Sequence, residues 1–283
     1  MKTPLRHIRH IPAIAGLLLS LSMGLSMNVA RAEHEGKVQI LLLGDSTTEG
    51  SVPRRHVPEG PHLEDVIRLL LAEEKDLPPT TVINLGLSGE FIRRLLDSGR
   101  YEKEASKLPG IDFVLIRYGL NDNAYRENLA ENFPMDYHEL IGRIKADHPA
   151  ATIIVMTVIP YGSEETCLRL NKLNEEVARA EGLPLFDIYP RYAAELKRGP
   201  DMLNYRRFPL EKIPENRRAF VKSFIVPGAN PTVEVLDNRL DAHFGHLPGW
   251  YGDRHPNLAG YHVIGDETAT YLAPLIRNRF AKP

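Results

Sequence analysis

The chain reads as an α/β protein built on a parallel sheet with helices on both faces. Three observations predict this. Five apolar, β-branched runs recur along it, "KVQILLL", "TVINL", "DFVLIRY", "ATIIVMTV" and "LPLFDI". They are continuous rather than alternating, as suits strands buried on both faces. Helical periods separate them, and repeated strand-helix alternation implies right-handed crossovers between parallel neighbours.

The N-terminus precedes this pattern and differs from it. Lys2, Arg6 and Arg9 come before the apolar run Ile11 to Met27, and Ala30-Arg31-Ala32 follows. A positive start, an apolar middle and an A-x-A site read as a signal peptide over residues 1–32, cut after Ala32. A membrane anchor is the competing reading. The run is short for a span, and Pro12, Gly16 and several serines interrupt it. No second long apolar stretch exists. The expected product is an exported protein, periplasmic or secreted, without stable membrane insertion after cleavage.

Within 33–283, read as one domain, the first strand ends at "GDS". A helix follows with Leu63, Val66, Ile67 and Leu70 at i, i+3, i+4, i+7. The second strand ends at "NLGLSGE" and the third at "YGLND". Tyr137, Leu140, Ile141 and Ile144 repeat the helical period, with Asp136 and Glu139 spaced as a capping pair. The fourth strand ends at "VIPYG". Leu170, Leu173, Val177 and Ala180 then form a stripe that Gly182 stops. After "FDIYP" the pattern dissolves. Residues 189–250 are rich in prolines and basic residues ("KRGP", "NYRRFP", "PENRR", "VPGANP"), and a structureless loop of that length is unusual. It reads as a loop-rich insertion packed on the ligand-binding edge of the sheet. Leu258 to Phe280 reads as a last helix, interrupted at Pro274.

With 283 residues, 43% hydrophobic and 25% charged, the composition is that of a globular protein. The formal net charge of -2 leaves no electrostatic footprint for nucleic acid. Cys167 is the only cysteine, so no internal disulfide forms. It lies in a helix-like stretch, where a buried thiol is inert rather than nucleophilic.

Parallel sheets of this kind bind ligands beyond the carboxyl ends of their strands. Ser46 stands at the first strand end, Gly89 after the second and Asn121 after the third. Asp253 and His255 lie in "GDRHPNLAGYH" before the last helix. A serine hydroxyl needs a base to become a useful nucleophile, and histidine suits that task near neutral pH. A tetrahedral oxyanion also needs donors. The Ser46 and Gly89 amides and the Asn121 carboxamide could supply them.

"GDS", "SG", "GxND" and "HPN", in this order over almost the whole chain after residue 32, resemble the SGNH, or GDSL-type, esterase/lipase superfamily. The resemblance implies a flavodoxin-like three-layer α/β/α fold on a five-stranded parallel sheet. It further implies ester hydrolysis through an acyl-enzyme, with Ser46 as nucleophile and His255 as general base and acid. Ser46, Gly89 and Asn121 become the oxyanion hole. One departure stands out. The family places its acid three residues before the histidine, which is Gly252 here, whereas Asp253 stands two before His255. Either Asp253 still orients the imidazole, or a backbone carbonyl does so and the site is a Ser-His dyad. We read Asp253 as the third member, because orienting the base is a recurrent need.

Several neighbours have plainer explanations. Asp45 fits a turn or a helix cap, and Asp122 fits hydrogen bonding to loop amides. Arg117, inside an apolar strand, either binds substrate or pairs with an acid such as Glu49 or Glu90. Asp241, His243 and His246, like His56 and His62, match no zinc signature, so neither metal nor cofactor is expected. Trp250 and Tyr251 could wall a sugar site or simply pack. The favoured function is an exported serine esterase that removes a small acyl group, such as acetate, from a small-molecule or polysaccharide ester. The alternatives are a lysophospholipase, thioesterase or acyltransferase with the same residues, or a non-catalytic carbohydrate-binding protein on a decayed esterase fold.

Overall fold

The computed structural model describes residues 36–199 and 203–280; the leader expected over 1–32 lies outside them. Val38–Gly44 form β1, flanked in parallel by β2 (Thr80–Asn84) and β3 (Phe113–Arg117). β4 (Thr152–Met156) and the short β5 (Leu185–Phe186) complete a five-stranded parallel sheet in the order β2-β1-β3-β4-β5. Ile40 of β1 pairs with Val82 on one side and Phe113 on the other. The strand order reverses between β1 and β3, and in such sheets a crevice opens above the carboxyl ends at that point.

In chain order the helices are α1 (Ser46–Glu49), α2 (Ser51–His56), α3 (Leu63–Glu73), α4 (Ile92–Asp97), α5 (Leu120–Tyr125) and α6 (Leu129–Asp147). α7 (Glu164–Glu181), α8 (Tyr189–Leu196), α9 (Asp241–Phe244) and α10 (Leu258–Phe280) follow. Alternate residues of β1 feed two cores. Ile40 and Leu42 pack with Leu63, Ile67 and Leu71 of α3 and with Ile264 and Leu272 of α10. Leu41 and Leu43 pack on the other face with Leu95 of α4 and Tyr137, Leu140 and Ile144 of α6. This is the expected three-layer α/β/α arrangement. Each fully buried aliphatic side chain contributes about 1.5–3 kcal/mol, which fixes the strand register. Among the described residues no helix is long and apolar enough to cross a membrane.

Three local expectations shift. Leu70 is 37% exposed and Leu71 is 1% exposed. The helical period tolerates either, and packing decides, because Leu71 joins the cluster shared with α10. Asp136 lies inside α6 rather than at its start, and its buried carboxylate takes Arg126 at 2.6 Å and Arg93 at 3.4 Å as counter-ions. α10 runs unbroken through Pro274. The proline ring sits on the exposed side, where losing one backbone bond is tolerated best.

The stretch read as loop-rich holds α8, two 3₁₀ segments (Leu210–Lys212 and Glu215–Phe224) and a second sheet. Its strands are β6 (Arg206–Pro209), β7 (Ile225–Val226) and β8 (Thr232–Val235), antiparallel in the order β6-β8-β7. Phe208, Val221, Val233, Val235, Phe244 and Trp250 form a core beneath it. A buried Arg206 is held there by Asp241 at 2.9 and 2.6 Å, and Trp250 Nε1 donates to the same carboxylate at 2.8 Å.

Candidate active site

β1 stops on glycine because the chain folds straight back over it. A Cβ on Gly44 would lie 2.2 Å from Thr48 Oγ1. Asp45 then caps α1: its Oδ1 accepts from the Thr47 amide at 2.8 Å and the Thr47 hydroxyl at 2.7 Å. Burial pushes the Asp45 carboxyl up from its ordinary value, against the pull of those bonds and of the Arg117 charge. The cap leaves Ser46 as the first residue of α1, at the mouth of the crevice. Tyr261 of α10 donates its hydroxyl to the Ser46 carbonyl at 2.8 Å, fixing the turn from outside.

Ser46 Oγ lies 2.8 Å from His255 Nε2, and His255 Nδ1 lies 2.6 Å from Asp253 Oδ1. The three residues thus meet although 209 positions separate the serine from the histidine. The irregular spacing has a local solution. Asp253 Oδ1 also accepts from the His255 backbone amide at 3.0 Å, so one oxygen serves both the main chain and the ring. Asp253 Oδ2 takes Arg207 Nη2 at 2.8 Å. Burial raises the Asp253 pKa, but the bonds to His255 and the Arg207 charge outweigh it and leave the carboxyl below its usual value. It therefore stays ionised at neutral pH.

The other strand ends converge on the same place. Gly89, after β2, sits at φ +75°, a left-handed conformation that disfavours side chains, and its carbonyl accepts from Arg94 at 3.2 Å. Asn121 stands on α5, and one N–H of its carboxamide donates to the Glu90 carbonyl at 3.0 Å. A carboxamide has two such hydrogens, so one remains for a ligand. Asp122 ties these loops together by accepting from the Ile92 and Gly119 amides, each at 3.0 Å. Burial pushes its carboxyl up to about 7, despite the pull of those amides. Ser46, Gly89, Asn121 and His255 all line one cleft of about 220 Å³, together with Ser51, Ser88, Tyr161, Tyr205, Arg207 and others.

The remaining candidates settle elsewhere. Arg117 is buried and bonds Thr48 Oγ1 at 3.1 Å and the Thr47 carbonyl, so it braces α1. The acid whose charge acts on it is Asp45, and neither Glu49 nor Glu90 pairs with it. Glu90 is held by Arg100 and Tyr118, each at 2.7 Å, and Glu49 receives the Ser88 amide at 2.7 Å. Asp241 neutralises Arg206, His243 stacks on Phe220 at 4.5 Å, and His56 meets Glu234 at 2.9 Å. Among the described residues no group of three or more His, Cys, Asp or Glu could hold a metal ion. Cys167 is buried in α7, and Trp250 packs in the insertion core.

Sequence reasoning missed Tyr161, Tyr205 and Arg207. Tyr161 follows β4 and reaches both ring nitrogens of His255, at 3.2 and 3.4 Å; burial and the nearby Asp253 push its phenol up to about 12. The Tyr205 ring lies 5.7 Å from the His255 ring at an interplanar angle of 9°. No sequence signal marked Tyr205 or Arg207, since Tyr205 precedes β6 and that strand is only four residues long.

Residues 42–263 match the model of the GDSL-like Lipase/Acylhydrolase family. No curated protein matches the sequence significantly. Among solved structures, an acetylxylan esterase from Geobacillus stearothermophilus is similar at 18% identity and a TM-score of 0.51, over 82% of this chain and 93% of that one. An alpha/beta hydrolase enzyme from the metagenome of Lake Arreo, Spain, is similar at 18% identity and a TM-score of 0.51, over 83% and 96% of the two chains. At such identities the structural likeness concerns the fold, and the family rests on the sequence match over most of the chain. The chain belongs to the GDSL-like lipase/acylhydrolase family, a family of carboxylic ester hydrolases.

Proposed function

We propose that the protein hydrolyses esters of small acyl groups, such as acetate on a carbohydrate, through Ser46, His255 and Asp253. The observation that carries this reading is the continuous hydrogen-bonded path from Ser46 Oγ through both nitrogens of His255 to a carboxylate. His255 Nε2 accepts the Ser46 proton as Oγ bonds the acyl carbon. The carbonyl oxygen becomes an oxyanion, received by the Ser46 and Gly89 amides and the free N–H of Asn121. As the intermediate collapses, His255 returns the proton to the departing alcohol. Water then repeats the sequence on the acyl-enzyme and releases the acid.

The dimensions and lining of the cleft support a small acyl group. A volume of about 220 Å³ is small, below the range of about 300–1,000 Å³ typical of drug-sized ligands. Its walls carry hydroxyls, amides and Arg207, with Val52 and Pro53 as the aliphatic contribution. A long acyl chain would find little apolar surface there, whereas a sugar would find many hydrogen-bond partners. The acetylxylan esterase among the structural neighbours agrees with this choice. Rates on p-nitrophenyl esters of increasing chain length test it. Acetate should be the preferred acyl group, and a preference for long chains would replace this reading with a lipase.

Asn121→Ala should lower kcat by roughly 10²–10³-fold with little change in KM, because an oxyanion donor acts mainly in the transition state. Steady-state kinetics on the acetate ester give the answer. A change confined to KM would make Asn121 a binding residue.

A further inference from the structure

The insertion does more than border the cleft. Its segment 203–207 runs beside the residues around His255. The Tyr205 amide donates to the His255 carbonyl at 3.3 Å, the Asn257 amide donates to the Leu203 carbonyl at 2.8 Å, and Asn204 bridges to Pro256. The Tyr205 ring lies parallel to the imidazole, and the Arg207 guanidinium stands 5.9 Å from the centre of that same ring. Arg207 also takes the outer oxygen of Asp253, the one that His255 leaves unused. The two-residue spacing gives this arrangement a purpose. With Oδ1 committed to both the His255 amide and ring, the carboxylate needs a second anchor to stop it rotating about its own bond. Arg207 supplies that anchor from a strand 46 residues earlier in sequence (253 − 207).

We propose that Tyr205 and Arg207 are positioning residues for hydrolysis, so that the insertion completes an active site whose acid stands one residue nearer its histidine than usual. The inference rests on the triad roles given above. Tyr205 limits tilting of the imidazole through its face, and Arg207 fixes the plane of the carboxylate. The plain alternative is that Arg207 merely stabilises β6. Yet its side chain is 43% exposed, and an exposed cation contributes little to stability, whereas its contact with Asp253 lies beside the reacting groups.

The groups facing the Asp253–His255 pair are Ser46 from α1, Tyr161 after β4, Tyr205 and Arg207 from the insertion, and Asp45 behind the serine. Glu234 of β8, paired in register with Arg207, also acts on its charge. Arg207 contributes a positive charge in direct contact with the pair. Removing it should make proton uptake by the pair easier, so activity should fail at higher pH as the solution is acidified.

Kinetics of the wild type, Arg207→Met and Arg207→Lys on p-nitrophenyl acetate, followed from about pH 5 to pH 9 around the histidine range, test the proposal. Arg207→Met should lose roughly ten- to a hundredfold in kcat at unchanged KM, the scale expected for misplaced catalytic groups. Its acid limb should move up by about one pH unit. Arg207→Lys should return the acid limb to its wild-type position, while recovering only part of kcat, because an ammonium lacks the planar fork. The only tryptophan, Trp250, is buried in the insertion core and reports its folding by fluorescence. Wild-type kcat in Arg207→Met would overturn the proposal, as would a lowered kcat with an unmoved acid limb, which marks a merely structural residue. Should Arg207→Met not fold, Arg207→Lys decides: a several-fold lower kcat supports the role, and wild-type kcat refutes it. Failure of the triad reading looks different, since it would appear as wild-type hydrolysis that survives Ser46→Ala.

Discussion

Ser46→Ala should abolish ester hydrolysis, with a loss in kcat on the order of 10⁴ or more, while the protein remains folded. The two halves of this expectation have separate grounds. The hydroxyl bonds His255 Nε2, and no other described hydroxyl is so placed: Tyr161 approaches the ring between its nitrogens at longer range. Without Oγ no acyl-enzyme forms, and any residual rate comes from the oxyanion donors acting on direct attack by water. Stability should hardly change, because the features that build the turn do not involve Oγ. Asp45 caps through Thr47, Gly44 permits the close approach of Thr48, and Tyr261 bonds the Ser46 carbonyl, which alanine retains. Alanine also tolerates the first position of a helix. Activity assays on purified variant, with circular dichroism as the control for folding, measure both halves. Most of the wild-type activity surviving would remove Ser46 from the mechanism.

The parts of this site that were legible in the sequence are those set by short-range geometry. "GDS" closes an apolar run, and the turn it encodes needs no distant residue. Gly89 and Asn121 likewise follow runs apolar enough to be read as buried strands, and parallel topology brings strand ends together whatever lies between them. Tyr205 and Arg207 escaped because their role depends on pairing across the chain. β6 spans only Arg206–Pro209, and its partner β8 begins at Thr232, with Arg207 opposite Glu234. Strands so short give no periodic signal, and their core residues Phe208, Val221, Val233 and Trp250 are scattered among prolines and charges. The burial of Arg206 was hidden for the same reason, because it depends on Asp241, 35 positions away, folding against it. Arg117 is the reverse case, since its burial was legible but its partners were not. It bonds a backbone carbonyl and a threonine hydroxyl of the turn carrying Ser46, contacts that no charge-pairing rule selects.

Asp253→Asn should cost roughly 10²–10⁴-fold in kcat, about 3–5 kcal/mol of barrier. The carboxylate accepts everywhere: Oδ1 takes the His255 amide and ring N–H, and Oδ2 takes Arg207. A carboxamide of the same shape cannot accept on both sides. If its NH₂ faces His255, it meets the backbone N–H donor to donor. It then donates to Nδ1, which forces the ring proton onto Nε2, where the base must be free to accept from Ser46. If its oxygen faces His255, the tautomer survives, but the NH₂ opposes the Arg207 guanidinium. The negative charge that stabilises the imidazolium is gone in either case. Arg207 makes both orientations worse, because a cation formerly neutralised by Asp253 now stands beside a histidine that must become positive during turnover. The loss should therefore fall mainly on kcat, with KM for a neutral ester little changed. A loss below about tenfold, equivalent to roughly 1.4 kcal/mol, would mean that the 2.6 Å contact between Asp253 and His255 does not orient the base. Asp253 would then act with Arg207 only as a brace between the histidine loop and the insertion, and hydrolysis would run on Ser46 and His255 alone.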